Sequence, residues 1–347
     1  MTHSRQLPTR RRALASFAAS IAFTGIGRIA SAETTTVTVG SVGGLSDAGI
    51  HLAQAYGYFT AAGIAVDQQL STSAPPLMQA LAVSQLDVAG ISLTPGLFAS
   101  SGMHIELRVV GDKQSYLNGF SGMRLIARPN LVGRDKSATI AGLRGKNVAI
   151  AAKGSVSYFL LDRLLASVKL SLRDINLVEL TYPNMFPAFT TGAIDAAINL
   201  EPFLTQTLLA GAAKHVSSLI EFAPGGRMTN VPLVFSEKFA KNRTVAQAFF
   251  TAYMRGVRVY NDAFVKGKDK ERVIAIMASA AKLQPGVVRT SFPFGLDPDQ
   301  RVTTGAFEEV QQFFVRERML AAPAQMSSLV DTSFAETSIA SLGHYRA

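Results

Sequence analysis

Short apolar runs alternate with longer helical patterns along most of this chain. Between residues 142 and 203, apolar runs at 148–151, 177–180 and 196–200 are separated by stretches in which apolar residues recur with a helical period. Such alternation is typical of strand–helix–strand units that build a parallel sheet. This part of the chain therefore predicts one half of an α/β protein.

The same pattern occurs once earlier in the sequence. Aligning Pro75 with Pro183 also aligns Asp87 with Asp195 without a gap. In each copy a helix leads through a small turn to an aspartate that opens a buried strand, and a structural role is expected for both aspartates because Asp at such turns commonly bonds local N–H groups. We interpret the copies as an internal repeat, which predicts two similar α/β lobes.

Three predicted strands of the first lobe, at residues 36–40, 65–70 and 87–91, are each followed by a hydroxyl-rich loop that opens a helix. Hydroxyl residues at the cap and proline in the first turn are helix start signals. In open α/β sheets such loops line a crevice beyond the carboxyl ends of the strands, where ligands bind. The sequence therefore predicts a binding crevice formed by these loops.

The chain is expected to leave the first lobe once and to return once. A fourth strand at 105–110 is followed by a run at 124–127 that enters the second lobe, and a return crossing is predicted at 230–235. The helical patterns beyond it are expected to pack on the first lobe. The predicted boundaries are 33–118 and 228–347 for the first lobe, 124–222 for the second lobe, and 119–123 and 223–227 for the hinge crossings.

Residues 1–32 are predicted to be an export signal outside the fold. Three arginines at 10–12 precede an apolar run at 13–26 and an Ala-Ser-Ala cleavage site at 30–32. The run is too short to span a bilayer. The arginine segment resembles the twin-arginine export motif, and the general secretory route stays open as the alternative. We expect a periplasmic protein that is soluble after signal cleavage.

Composition and motifs narrow the function classes. The 347 residues include no cysteine, and the five histidines have no metal-ligand spacing, so neither disulfides nor a metal site is predicted. No hydrolase elbow, P-loop or dinucleotide motif follows a predicted strand, which leaves no visible catalytic residues and no cofactor site. The export signal carries half of the formal net charge of +10, so the remaining chain is mildly basic and nucleic-acid binding is not expected.

Candidate ligand contacts lie in the strand-end loops. Glu201 follows a predicted strand and precedes a proline, and either a role in the turn or contact with a ligand stays open for it. Tyr158, Phe186 and Phe203 are candidates for covering the apolar part of a solute, although core packing is the more common role. Five hydroxyl residues suit both helix capping and ligand contact, and both roles stay open for them: Ser46, Ser73, Thr94, Ser155 and Ser157.

Four motifs carry a family resemblance that covers roughly residues 36 to 240. They are the segments 54–59 with 62–66, 79–81 with 86–89, 143–148, and 192–196 with the Glu201-Pro202 pair. In this order they resemble the solute-binding proteins of ABC importers in the sulfonate, taurine, nitrate and pyrimidine-precursor group. Family members often carry a pocket tryptophan, which this chain lacks, and the related pyrimidine-synthase enzymes use a cysteine-rich motif that is also absent.

The resemblance implies a fold like that of type II periplasmic binding proteins, with two lobes and a ligand cleft at the hinge. It also implies two partners besides the small-molecule ligand, an inner-membrane ABC permease and its cytoplasmic ATPase, and we expect a monomer. The family's ligand loops correspond here to Ser46 and Asp47, Ser73 and Ala74, Thr94 and Pro95, Gly154 to Ser157, Asn184 and Met185, and Glu201 and Pro202.

The function expected from these features is capture of a small organic solute without chemistry. N–H groups at helix starts favour an anion such as a sulfonate or carboxylate. If Asp47 and Glu201 both faced the cleft, a cationic or hydrogen-bond-donating ring would fit better. The alternatives are a binding protein for a pyrimidine precursor, a receptor that reports a ligand to a membrane sensor, and an exported enzyme on the same scaffold.

Overall fold

A computed structural model describes residues 34–71, 74–103, 105–120 and 122–347. The predicted export signal at 1–32 and the candidate contact Ser73 lie outside these residues. Within them, two five-stranded sheets combine with helices. The predicted α/β fold with two similar sheets is therefore confirmed.

Each sheet mixes parallel and antiparallel strands. In chain order the strands are β1 (Thr35–Ser41), β2 (Ile64–Leu70), β3 (Val88–Gly90), β4 (Arg108–Tyr116), β5 (Met123–Ala127), β6 (Asn147–Ile150), β7 (Asn176–Glu179), β8 (Ala196–Leu200), β9 (Lys214–Ser217) and β10 (Met228–Phe235). The first sheet has the order β2-β1-β3-β10-β4 and the second has β7-β6-β8-β5-β9. β10 is antiparallel to β3 and β4, because it carries the chain back from the second sheet.

The helices flank these strands along the whole described chain. Among them there is no helix with the length and apolar character needed to cross a membrane. In chain order they are α1 (Ala48–Ala55), α2 (Tyr58–Ala61), α3 (Ala74–Ala82), α4 (Pro95–Ala99), α5 (Lys136–Ala141), α6 (Val156–Ala166), α7 (Tyr182–Thr191), α8 (Phe203–Leu209), α9 (Glu237–Lys241), α10 (Arg243–Val265), α11 (Lys270–Ala281), α12 (Pro285–Thr290), α13 (Thr304–Arg316), α14 (Met326–Leu329) and α15 (Ser333–Leu342).

The internal repeat is visible as the same hydrogen bond in both sheets. Asp87, just before β3, accepts a 2.9 Å hydrogen bond from the backbone N–H of Thr38 on β1. Asp195, just before β8, accepts a 3.0 Å bond from the backbone N–H of Asn147 on β6. Each aspartate thus ties the start of one parallel strand to its neighbour, which confirms the structural role expected for both.

The first sheet packs against the long helix α10. Phe235 on β10 lies edge-on to Phe250 of α10 at 6.3 Å between ring centroids, and to Phe334 of α15 at 5.2 Å. α10 also approaches α1 closely, since a Cβ on Gly256 would lie 2.2 Å from the carbonyl oxygen of Gly49. A Cβ on Gly49 would in turn lie 2.5 Å from Cε2 of Tyr253, so both glycines are needed for this helix contact.

α13 contacts the first lobe, where the sequence places the C-terminal helices, and also the second lobe. Its Phe313 lies 5.2 Å from Tyr158 of α6, between ring centroids, and Phe307 lies 6.2 Å from Phe98 of α4. Arg163 of α6 also bonds Glu309 of α13 at 2.6 Å. One buried apolar cluster therefore runs from the first sheet through α13 into the second lobe.

Candidate functional site

The strand-end loops of the two sheets meet at Gly154 and Pro95. Gly154 follows β6 and has a left-handed φ of 75°. A Cβ on Gly154 would lie 3.3 Å from Cδ of Pro95, the first residue of α4, and 3.3 Å from Cε of Met319. Two of the predicted ligand loops, one from each sheet, therefore lie side by side.

The loop after β1 contains a buried ion pair. A short 3₁₀ turn spans Leu45–Asp47 and leads into α1. The Asp47 carboxylate is 1% exposed and lies 2.7 Å from Nζ of Lys113 on β4. Ser41 at the end of β1 donates its hydroxyl proton to the same carboxylate. Burial by itself would raise the pKa of Asp47, but the Lys113 ammonium and the Ser41 hydroxyl outweigh burial and hold that pKa below its ordinary value.

Lys113 also reaches the half-buried candidate Ser46. Its Nζ donates a 3.2 Å hydrogen bond to the Ser46 hydroxyl oxygen, while the lysine side chain is only 4% exposed. The aliphatic part of Lys113 passes over Gly90 at the end of β3, where a Cβ would lie 2.2 Å from Cδ of the lysine. The glycine is therefore what leaves room for the lysine to cross the sheet.

Sequence reasoning missed Lys113. The available signal was the polar run Asp112, Lys113, Gln114 and Ser115 inside a strand that is buried almost throughout. A buried polar side chain in a strand needs a partner. Its partner Asp47 is distant in sequence, so the pattern alone could not supply the pairing.

Ser155 and Ser157 form an internal hydroxyl chain at the start of α6. Ser155 occupies the N-cap position, and its hydroxyl donates a 2.7 Å bond to the carbonyl oxygen of Ala152. The Ser155 and Ser157 oxygens are 2.7 Å apart. Because a hydroxyl has one proton, Ser157 must be the donor in this second bond. Both protons are thus committed within the protein.

Thr94 is a helix cap in the structure. Its hydroxyl oxygen accepts a 3.3 Å bond from the backbone N–H of Leu97 in α4. The backbone of Thr94 is extended and Pro95 occupies the first turn, which is the usual arrangement at a helix start. Capping uses one lone pair of the Thr94 hydroxyl and leaves its proton for another partner.

Glu201 joins the second sheet to a distant segment. Its side chain is 2% exposed and follows β8 directly. One carboxylate oxygen accepts a 2.7 Å bond from the Thr205 hydroxyl and a 2.9 Å bond from the backbone N–H of Phe292. The other oxygen accepts a 3.1 Å bond from the backbone N–H of Thr205. Burial raises the pKa of Glu201 despite these bonds.

Arg124 is a second residue that sequence reasoning missed. Its guanidinium lies 3.7 Å from the ring centroid of Phe292, and one of its nitrogens is 2.7 Å from Nε2 of His215 on β9. Burial lowers the pKa of Arg124, and the nearby Glu201 carboxylate opposes that shift. Glu201 and Arg124 therefore both hold the segment after α12 against the second sheet.

The remaining candidates are placed differently. Tyr158 packs against α13, and its hydroxyl donates a 3.3 Å bond to Glu317. Burial and this carboxylate raise the pKa of Tyr158 to about 12. Asn184 lies exposed in the first turn of α7, and α3 begins at Ala74. Tyr158 thus lies in the contact between α6 and α13, whereas the other aromatic candidates, Phe186 and Phe203, are half-buried.

The described residues contain no group of three or more His, Asp or Glu side chains arranged to hold a metal ion.

Comparison with known proteins gives consistent matches. The model of the NMT1-like family matches residues 30–278. A protein of Bacillus subtilis (strain 168) named for the binding of aliphatic sulfonates is 25% identical over 283 residues, which cover 80% of this chain and 79% of the relative.

Two solved structures illustrate the shared fold. The alkanesulfonate-binding protein of Xanthomonas axonopodis pv. citri, bound to MOPS, has a TM-score of 0.67 at 22% identity and covers 86% of this chain and 99% of its own. A desulfurization enzyme has a TM-score of 0.60 at 16% identity and covers 88% of this chain and 99% of its own. The same fold therefore serves binding proteins and at least one enzyme.

Proposed function

Because the chain belongs to the NMT1-like family, we propose that it is the extracytoplasmic substrate-binding component of an ABC importer. It captures a small organic anion, a sulfonate or a carboxylate, and delivers it to a membrane permease. The strand-end loops of the two sheets hold the solute between them, and no covalent step takes place.

The choice of an anion rests on one observation, which is that the two loop carboxylates are buried and bound within the protein. Exposed carboxylates at Asp47 and Glu201 would favour a cationic solute. Both are almost fully buried, and each is bound by groups of the protein itself: Asp47 by Lys113 and Ser41, Glu201 by Thr205 and Phe292. The loops keep the Ser46 and Thr94 hydroxyl protons and helix-start N–H groups for the solute, and these suit an anionic head group.

The relatives support the same class of solute. The Bacillus subtilis relative is named for aliphatic sulfonates, and the Xanthomonas structure holds MOPS, whose head group is a sulfonate. Helix N-termini bind carboxylates and sulfonates by the same means, since both present several acceptor oxygens and a negative charge.

A thermal-shift screen with purified protein tests the proposal. The library pairs each anion with a neutral or cationic analogue of the same carbon skeleton: alkanesulfonates, benzoate and alkanoates against the matching amides and amines, with nitrate as an inorganic anion. A solute present at about a hundred times its dissociation constant adds about 2.7 kcal/mol of stability. We expect stabilisation by one sulfonate or carboxylate series and none by the amines.

Two results would overturn the proposal. Stabilisation by amines alone would assign the site to a cation. Release of sulfite, or any other conversion of a stabilising solute during long incubation, would assign the protein to the enzymes that share this fold. Calorimetry then measures the dissociation constant of each stabilising solute.

A further inference from the structure

We propose that Lys113 is a specificity-determining residue, which orients the Ser46 hydroxyl as a hydrogen-bond donor toward the anionic head group of the solute. This inference rests on the proposed function and names the part of the chain that separates anions from neutral analogues. Lys113 itself stays beneath the loop and acts through Ser46.

The first step is the position of the ammonium. Nζ of Lys113 lies 2.7 Å from the Asp47 carboxylate and 3.2 Å from the Ser46 hydroxyl oxygen. The lysine is 4% exposed and Asp47 is 1% exposed, whereas Ser46 is half-buried. Ser46 is therefore the member of the trio that a solute at the strand-end loops can reach.

The second step is proton accounting. An ammonium only donates, and a serine hydroxyl has one proton and two lone pairs. Since the Ser46 oxygen accepts from Lys113, its own proton points away from the lysine. Donation from a charged group also strengthens the next bond in a chain. Ser46 is thus presented as a donor, which an anion satisfies better than a neutral group does.

The third step concerns why the buried ion pair of Lys113 and Asp47 is present. A gain in folding stability does not explain it. Replacing a buried ion pair by apolar residues of similar volume is often neutral or stabilising. Here the chain keeps the pair and leaves Gly90 without a side chain so that the lysine can cross β3. Asp47 fixes the ammonium and cancels its charge, so the selectivity comes from the direction of one hydrogen bond and not from net charge.

The test compares affinities for a charged and an uncharged ligand of the same skeleton. The probes are 1-butanesulfonate with 1-butanesulfonamide, and benzoate with benzamide, measured by calorimetry. The variants are Ser46→Ala, the charge-free pair Lys113→Met with Asp47→Asn, and all three changes together. Removing both charges avoids leaving one of them buried alone. His51, whose pKa is lowered by burial, is neutral at pH 8, where the measurements are made.

We expect the charge-free pair to bind the anion about tenfold more weakly, as for loss of a charge-assisted bond, and the neutral amide within about twofold of the parent. Adding Ser46→Ala to the charge-free pair should cause little further loss, because the two sites act as one. The control is Arg258→Met with Asp299→Asn, which removes another largely buried ion pair, at 2.8 Å, and should leave the preference for the anion unchanged.

An equal loss for anion and amide, or additive losses from Ser46 and from the pair, would overturn the role of Lys113 while the proposed function stands. Failure of the parent protein to bind any sulfonate or carboxylate would overturn the proposed function and this inference with it. Thermal melting of each variant confirms that it is folded at the temperature of the calorimetry.

Discussion

Glu201 accepts a 2.9 Å hydrogen bond from the backbone N–H of Phe292, and this bond joins the loop after β8 to the segment after α12. Both oxygens of the carboxylate are occupied, since Thr205 supplies two further donors. In the structure this loop acid, for which the sequence leaves a turn role and ligand contact open, ties together distant parts of the chain.

Replacing Glu201 by alanine should lower the free energy of unfolding by about 2 to 3 kcal/mol, because the backbone N–H groups of Thr205 and Phe292 and the Thr205 hydroxyl lose their acceptor. Urea denaturation measures this change. The control is Glu309→Ala, which removes a half-exposed ion pair with Arg163 and should cost no more than about 1 kcal/mol. A stable Glu201→Ala protein that has lost solute binding would instead assign Glu201 to the ligand.

Gly90→Ala should destabilise the protein and weaken anion binding together. The new methyl group would lie 2.2 Å from Cδ and 2.8 Å from Cε of Lys113, so the lysine side chain must shift, and we expect the shift to draw its ammonium away from Asp47. Breaking a buried ion pair costs about 3 to 5 kcal/mol, which urea denaturation detects. Gly286→Ala is the control, because a Cβ there meets no atom within 4 Å. A Gly90→Ala protein as stable as the parent would contradict the close packing of Lys113 over Gly90.

The contribution of Asp112 to the stability of the protein should fall as pH rises from about 4 to about 7. Its carboxyl is fully buried and accepts bonds from the Ser115 hydroxyl at 2.6 Å and from the backbone N–H of Asp297 at 2.7 Å. Burial and the neighbouring Asp297 carboxylate raise the pKa of Asp112 to about 7, although these hydrogen bonds and Arg227 oppose the shift. The folded state therefore holds this proton more tightly than the unfolded state does.

Unfolding thus becomes easier as pH passes from the ordinary value of 3.8 to about 7, and Asp112 adds no further dependence above that range. In Asp112→Asn the slope over this interval should shrink relative to the parent. Urea denaturation at several pH values gives both slopes, and Asp67→Asn, an exposed change on β2, serves as the control. Parallel curves for parent and Asp112→Asn would contradict the raised pKa.

Ser155→Ala combined with Ser157→Ala should cost about 1 to 2 kcal/mol of stability, because two internal hydrogen bonds are lost. Since both hydroxyl protons are used within the protein, we expect this double variant to weaken anion binding less than Ser46→Ala does. Calorimetry, with the anion that stabilises the protein most in the thermal-shift screen, measures which of the two variants loses more affinity. The reverse order would assign the donors to α6 and not to the loop after β1.

The sequence by itself determined the α/β class, the repeat and the family resemblance. Strands that are buried on both faces read as apolar runs, and their spacing by helical patterns is a local property. The strand at 196–200 was predicted with the bounds that the structure has. β9 (Lys214–Ser217) was missed because this edge strand, with its sequence Lys-His-Val-Ser, is largely exposed and carries little apolar signal.

Only the tertiary structure decided which polar residues meet. Lys113 reaches Asp47, and Phe292 reaches Glu201, across separations that no periodicity records. The position of α13 between the lobes likewise depends on aromatic contacts between distant elements, Phe307 with Phe98 and Phe313 with Tyr158. Periodicity reports whether a residue faces inward, whereas the identity of its partner is set by the packing of elements that are far apart in the chain.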